Sequence, residues 1–344
     1  MNRFKTSKFK NTTPKIAKKD GWISNVRAGS FSCQGNHIKA SSKLVAFNTE
    51  QAGGGMLGLS SVKPGSDGKW TVTQIPCHAD VVTDLDFSPF DDNLLATCSA
   101  DETMKLWRVC DPELEQPSGA ELTLCPGQGR LELVLFHPTS SGLLALASSK
   151  SPLLWDTSRK DTPLAVLEQH SDQLQSLSWK QDGSLLASSC KDKMLRVFDP
   201  RAQLTPVQSA KSLLNNKDSR ILWAKDDHLL TTGFDMMRSR EVRLWDSRKL
   251  SSSVASVSLG SSSGCVDWST EGLGVRLKAQ LLHKAPLTNI FDQKTSLEKE
   301  KRPCCRKIFE GPVVLQRPKG QSWGAAGPFT LTHLGGVLGE QAFH

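Results

Sequence analysis

One phrase recurs four times in this chain, and it constrains the fold more than any other feature. It reads FSPFDDNLLATCSADETMKLW over Phe87–Trp107, FHPTSSGLLALASSKSPLLW over Phe136–Trp155, WKQDGSLLASSCKDKMLRVF over Trp179–Phe198 and WAKDDHLLTTGFDMMRSREVRLW over Trp223–Trp245. The opening aromatics stand 49, 43 and 44 residues apart. A fixed period of roughly 40–45 residues, built from short strands, polar turns and a closing aromatic, is the signature of a β-propeller blade. Each blade has two apolar faces and only its neighbours to cover them, so the copies must stack around an axis. No sustained 3.6-residue apolar period precedes Gly264, which excludes a pair of long helical domains.

Within the first copy the strand logic is visible. Val81–Phe87 alternates apolar and polar residues, Asp91–Asn93 turns the chain, Leu94–Cys98 forms the next strand, and Thr103–Trp107 closes the copy after a turn at Ser99–Glu102. The second copy has Ser149–Pro152 where the first has the Asp turn. Pro152 cannot donate to a ladder, so its hairpin is expected to be irregular. The fourth copy carries a longer hairpin at Phe234–Arg240. Trp22–Arg27 and Lys43–Phe47 read as short strands before the first full copy. Ser253–Leu259 can supply one more strand, and Cys265–Trp268 begins a fifth copy on schedule. The expectation is therefore an all-β, incomplete propeller of about four blades and a fragment of a fifth over residues 22–268. A basic arm at 1–21 precedes it, and a tail at 269–344 without either period is expected to be disordered.

The formal net charge is +8, and much of the excess lies in the arm, where Arg3, Lys5, Lys8, Lys10, Lys15, Lys18 and Lys19 face only Asp20. Such an arm either keeps the domain solvated or attracts an acidic partner. There are nine cysteines, an odd number, with no C-x-x-C pair. Cys98 and Cys190 fall in the same strand-like run of two copies and read as small buried hydrophobes of a reducing compartment. No 18-residue apolar run exists and the start MNRFKTSKFK lacks an apolar h-region. A soluble intracellular protein without a transmembrane segment is the expectation.

Candidate chemistry reduces to structure. His78 precedes the first copy with Asp101 and Trp107 downstream, and His170 precedes the third with Asp192 and Phe198 downstream, at His–Asp separations of 23 and 22 residues. A catalytic dyad would not recur once per repeat. A hydrogen-bonded clip from His to Asp, carried through Ser99 to the Trp107 indole, would fasten each connection to its blade. With no donor on Phe198, that clip should be shorter in the third copy. Gly53, Gly55 and Gly58 match G-x-G-x-x-G, but a turn at Pro64-Gly65 follows instead of a helix. Gly260, Ser262 and Gly264 match G-x-S-x-G inside a serine run with no strand-to-helix turn. With no zinc spacing, P-loop or H-E-x-x-H, no enzyme, metal or cofactor is expected. The chain has no tyrosine and 6% aromatic residues, too thin a stacking surface for a single-stranded nucleic-acid binder. Arg27, in WISNVRAGS near Lys39 and Lys43, is either an idle surface charge or a guanidinium that grips acidic side chains of a partner.

The opening RFKTSKFK, then WISNVRAGS and NHIKASSKLVAFN, then DLDFSPFDDNLLATCSADETMKLWR, SCKDKMLRVFDPR and TTGFDMMRSREVRLWD resemble the coronins, WD-repeat propeller proteins that bind actin. The phrasing is most like the first propeller of the long, tandem-propeller members, and the likeness covers about residues 1–265. The resemblance implies a filamentous-actin scaffold, cytoplasmic and cytoskeleton-associated, with a Golgi-linked role in vesicle traffic and trafficking or cytoskeletal partners. It also implies Arg27 as an actin contact, with Lys8 and Lys10 as weaker candidates. The family's propeller has seven blades, and residues 271–344 carry no such likeness. The competing readings are a general protein adaptor without actin contact, a nucleic-acid binder using arm and tail, and a truncated product without independent activity.

Overall fold

The computed structural model describes residue 23 and residues 34–49, 54–159, 161–211, 214–215, 217–224, 226–260, 266–269 and 276–279. Among them no helix occurs, and the regular structure is strands alone. They form five four-stranded antiparallel meanders and a two-stranded piece. The first sheet holds β1 (Ile38–Ala40), β2 (Leu44–Asn48), β3 (Met56–Ser61) and β4 (Val72–Pro76); the second holds β5 (Val82–Phe87), β6 (Leu94–Ser99), β7 (Met104–Arg108) and β8 (Leu122–Leu124). The third is β9 (Leu131–Phe136), β10 (Leu143–Ser148), β11 (Pro152–Asp156) and β12 (Ala165–Val166). The fourth is β13 (Leu174–Trp179), β14 (Leu186–Cys190), β15 (Met194–Phe198) and β16 (Gln208–Lys211). The fifth is β17 (Arg220–Trp223), β18 (His228–Phe234), β19 (Arg240–Asp246) and β20 (Ala255–Gly260). The piece is β21 (Val266–Ser269) with β22 (Arg276–Ala279).

The opening strands β1, β5, β9, β13, β17 and β21 lie against one another in succession, so each sheet leads with its innermost strand. That radial order of antiparallel meanders is the WD-type propeller expected from the repeats. The count differs by one: the four phrases are the second to fifth sheets, and a complete sheet stands before them. It escaped the repeat because it lacks both the turn Asp and the closing aromatic. Its large ring, Phe47, is on the second strand instead and pairs with Gly58 on β3. A Cβ on Gly58 would run into that ring, so the glycine makes room for it. The last glycine of the apparent dinucleotide motif is thus a strand residue under an aromatic. Pro152 also behaves differently from expectation. It is the first residue of β11, where no ladder donor is lost, and β10–β11 pairing runs evenly from Leu143↔Asp156 to Ala147↔Pro152. The register shift at Ala147/Ser148 is shared by proline-free sheets, at Val82/Asp84 and Leu174/Ser176. Past residue 268 the pairing continues through β22. The rest of the expected tail, the arm at 1–21 and most of 22–33 lie outside the described residues.

The core is divided into seams between consecutive sheets. Ala46, Leu57 and Ile75 of the first sheet meet Leu85, Phe87 and Trp107 of the second. Ala96, Cys98 and Met104 of the second meet Phe136, Leu144 and Trp155 of the third. Ala145, Ala147 and Leu154 of the third meet Leu177, Trp179 and Phe198 of the fourth, and Ala187, Leu195 and Val197 of the fourth meet Trp223 and Trp245 of the fifth. The pattern is directional. The second to fifth sheets each turn their opening and closing aromatics back onto the sheet before, which meets them with small and aliphatic residues, so large and small interdigitate at these four seams. Truncating one such buried ring to alanine costs about 3–5 kcal/mol.

Seams near the axis are also keyed by polar bonds. Asp84 and Asp86 on β5 accept the backbone N–H groups of Val134 and Phe136 on β9, each at 2.9 Å. Ser176 and Ser178, the equivalent residues of β13, accept those of Ile221 and Trp223 on β17 at 3.2 and 3.0 Å. Between them, the same positions of β9 are Leu133 and Leu135, which pack on the fourth sheet. From β5 to β17 the inward-facing strand edges are thus joined by hydrogen bond, apolar contact and hydrogen bond in turn.

Candidate interaction face

Antiparallel pairing puts two kinds of loop at one end of every sheet: the connection into its first strand and the turn between its second and third strands. At that end of the second sheet stands the His–Asp network. His78 Nδ1 lies 3.0 Å from Asp101 Oδ2 and 3.1 Å from Thr103 Oγ1, and its Nε2 lies 2.8 Å from Thr97 Oγ1. Trp107 Nε1–H donates to the same Thr97 oxygen at 3.0 Å. Donor and acceptor order closes with a neutral ring: indole N–H to Thr97, Thr97 O–H to Nε2, and Nδ1–H to Asp101. Thr97, rather than Ser99, stands between ring and indole. Ser99 Oγ donates to Asp80 O and accepts the Asp101 N–H, both at 3.1 Å. Asp101 also accepts from Ala79 N, Thr103 N and Thr103 Oγ1.

Burial pushes the His78 pKa down to about 4 against the opposing pull of Asp101. Asp101 is held at about 2: partial burial pushes it up, and the Thr103 hydroxyl, His78 and the N–H groups of Ala79 and Thr103 outweigh that. The His78 side chain is 0% exposed, so no substrate reaches it and the network fastens the loop to the blade.

The fourth sheet replaces the expected His170–Asp192 pairing. His170 Nε2 lies 2.8 Å from Ser188 Oγ and its ring leans on Phe198, centroids 5.9 Å apart. Asp192 is drawn to Arg196 instead, at 2.7 and 3.2 Å, and to Ser171 Oγ and Met194 N. Arg196 occupies the position of Lys105, whose ammonium in the second sheet turns away to Cys77 O at 2.9 Å and leaves Asp101 to the histidine. Burial likewise lowers His170 to about 4, while Asp192 sits at about 2, its partial burial outweighed by Arg196, Met194 N–H and Ser171. In the fifth sheet Trp245 Nε1 donates to Thr231 Oγ1 at 2.9 Å, the Trp–Thr half of the clip.

Of the cations expected to grip a partner, Lys39 is engaged inside the chain, 3.1 Å from Asp86. Arg27, Lys8 and Lys10 lie outside the described residues. Sequence reading missed Asp84 and Asp86 as seam keys; their alternation along one strand was the available signal. Among the described residues no group of His, Cys, Asp and Glu is placed to hold a metal ion, and no helix is long and apolar enough to cross a membrane.

Comparison with known proteins agrees with this geometry. Residues 60–108 and 161–199 match the WD domain, G-beta repeat, and residues 2–64 match a domain of unknown function, DUF1899. Coronin-7 of Bos taurus is 45% identical over 263 residues, 76% of this chain and 28% of that protein, and Coronin-7 of Homo sapiens is 45% identical over 267 residues. The chain belongs to the coronin family. Human Coronin-2A is 31% identical over 270 residues, 76% of this chain and 51% of that protein. This coronin-family chain spans under a third of the length of the Coronin-7 relatives it matches. The crystal structure of the WD40 domain from Toxoplasma gondii coronin superposes with a TM-score of 0.69 at 23% identity, covering 92% of this chain and 89% of that one, which supports the shared fold.

Proposed function

We propose that this coronin-family chain is a filamentous-actin-binding scaffold with a role in Golgi-linked vesicle traffic, acting in the cytoplasm at the cytoskeleton. Family membership carries the reading: the match to Coronin-7 runs through the stacked sheets at 45% identity. Two features of the chain fit it. The keyed seams make a rigid platform, and the arm at 1–21 concentrates positive charge ahead of it in the sequence, suited to an acidic filament surface. Arg27 is the contact we assign first, with Lys8 and Lys10 adding charge. Co-sedimentation with actin filaments tests the reading. The chain should pellet with filaments, less so as salt rises, and Arg27→Asp should weaken pelleting. Absence of pelleting at low salt would refute the actin assignment, and an unchanged Arg27→Asp would remove that residue from it.

A further inference from the structure

We propose that the β18–β19 hairpin is a membrane-contacting tip that takes an anionic lipid surface. This inference does not depend on the actin reading. Met236 and Met237 are 77% and 86% exposed, the two most exposed large apolar side chains among the described residues. The turn that carries them is built, not slack. Asp235 N donates to Ser239 O and Ser239 N donates back to Asp235 Oδ1, both at 2.8 Å. Arg238 N donates to Asp235 O at 3.1 Å, with Arg238 itself at φ 63°. Beneath the turn Phe234 is buried, and the Lys217 ammonium sits 4.8 Å from its ring centre. A side-chain amide from Asn215 reaches Asp235 O at 3.3 Å. Two methionines are thus held at a convex apex where nothing in the described chain covers them.

Cations surround that apex. Arg238 is in the turn itself, Arg240 opens β19, and Lys217 precedes β17. In the neighbouring sheet Lys193 lies in the matching turn, and Lys211 ends β16 at the same end, since β16 pairs Lys211 with Met194. The acids close by are largely engaged: the Asp235 carboxylate holds the turn and Glu241 pairs with Arg243 at 2.9 Å, leaving Asp218 exposed. A convex apolar tip ringed by positive charge has the form that enters a bilayer interface. The flexible thioethers reach the acyl boundary while the long basic side chains stay among the headgroups. A protein partner would have to offer a pocket lined with acids to match the same shape.

Sedimentation of the full chain with phosphatidylcholine vesicles, with and without phosphatidylserine, tests this. Binding should need phosphatidylserine and fall with salt. Met236→Ser/Met237→Ser should abolish most of it, and Arg238→Glu should weaken it by at least about fivefold, the effect of one cation near an anionic surface. All three positions are exposed, so thermal melting should be unchanged. As a second readout, Met237→Trp should gain fluorescence quenching by brominated lipid over the wild type. The proposal falls if these variants bind vesicles as the wild type does, if no vesicle binding occurs, or if Met237→Trp gains no quenching. It also falls if the variants keep vesicles and lose actin filaments, which would make the hairpin a protein contact.

Discussion

Replacing Asp84 by asparagine should change the pH dependence of stability, because a buried carboxylate is exchanged for a side chain that does not titrate. Asp84 is 2% exposed and joins the segment before β1, its own strand and the third sheet. Its Oδ1 accepts Asn36 N at 2.7 Å, Asn36 Nδ2 at 3.0 Å and Leu85 N at 2.9 Å, while Oδ2 takes Val134 N. Asparagine keeps one oxygen but turns an amide N–H toward the Val134 N–H, leaving two buried donors unpaired at about 1–3 kcal/mol each. The substitution also removes a buried charge. Burial raises the Asp84 pKa from 3.8 to about 6 despite the N–H bonds from Val134 and Asn36. That rise means the ionised group costs about 3 kcal/mol above pH 6. The two effects oppose each other at pH 7, so the variant should lose no more than about 3 kcal/mol there.

Acid separates the two. The folded protein binds the Asp84 proton more tightly than the unfolded chain does. The wild type therefore recovers stability from this group as pH falls from about 6 towards 3.8, about 2 kcal/mol of it by pH 4.5, and the asparagine variant recovers none. His78 and His170 oppose this equally in both proteins: lowered from 6.5 to about 4, each withdraws stability as pH drops through that window. Urea midpoints of wild type and variant at pH 7 and pH 4.5 give the measurement. The gap between them should widen by about 2 kcal/mol on acidification. A gap constant to within about 0.5 kcal/mol would refute the claim that Asp84 is held ionised at a cost.

Three further outcomes are expected. Thr97→Val removes the hydroxyl shared by His78 and Trp107 and should lower stability by about 2–4 kcal/mol, against about 1 kcal/mol for Ser188→Ala, read from thermal or urea melts. Lys193 sits at φ 68°, so Lys193→Gly should leave stability unchanged or raise it by up to about 1 kcal/mol, whereas Lys193→Val should lower it. Ala187→Leu puts a larger side chain where Trp223 and Trp245 pack and should cost about 1–3 kcal/mol, with exchange protection lost first across the fourth and fifth sheets.

The inner three strands of the second to fifth sheets were legible because each copy carried the same punctuation, an opening aromatic, a polar turn and a closing ring, whereas the outer strands β8, β12 and β16 carry none of it. Hairpin Phe234–Arg240 was read to the residue, as β18 and β19 pair at those two positions. Of the first sheet only β2 was legible, as Lys43–Phe47; the sheet as a whole was not, since its ring, Phe47, stands on the second strand over Gly58 and no aromatic closes the third. The polar clip was read as a type but not as a wiring. Spacing brought His78 near Asp101, but which hydroxyl meets the indole depends on strand facing, and Thr97 points where Ser99 does not. In the fourth sheet arginine at 196 for lysine at 105, together with Met194 for Thr103 and Phe198 for Trp107, redirects the carboxylate through a reach that spacing does not encode.

The succession of carboxylate, leucine and serine on β5, β9 and β13 gives the three joints they face different locks. Leu133 and Leu135 fit a greasy neighbour, while Asp84 and Asp86 need bare amides held at one fixed distance. Shuffling the modules of such a fold would mismatch these locks even though the modules look interchangeable, so assembly order is enforced at the hub by chemistry as well as by the thread of the chain.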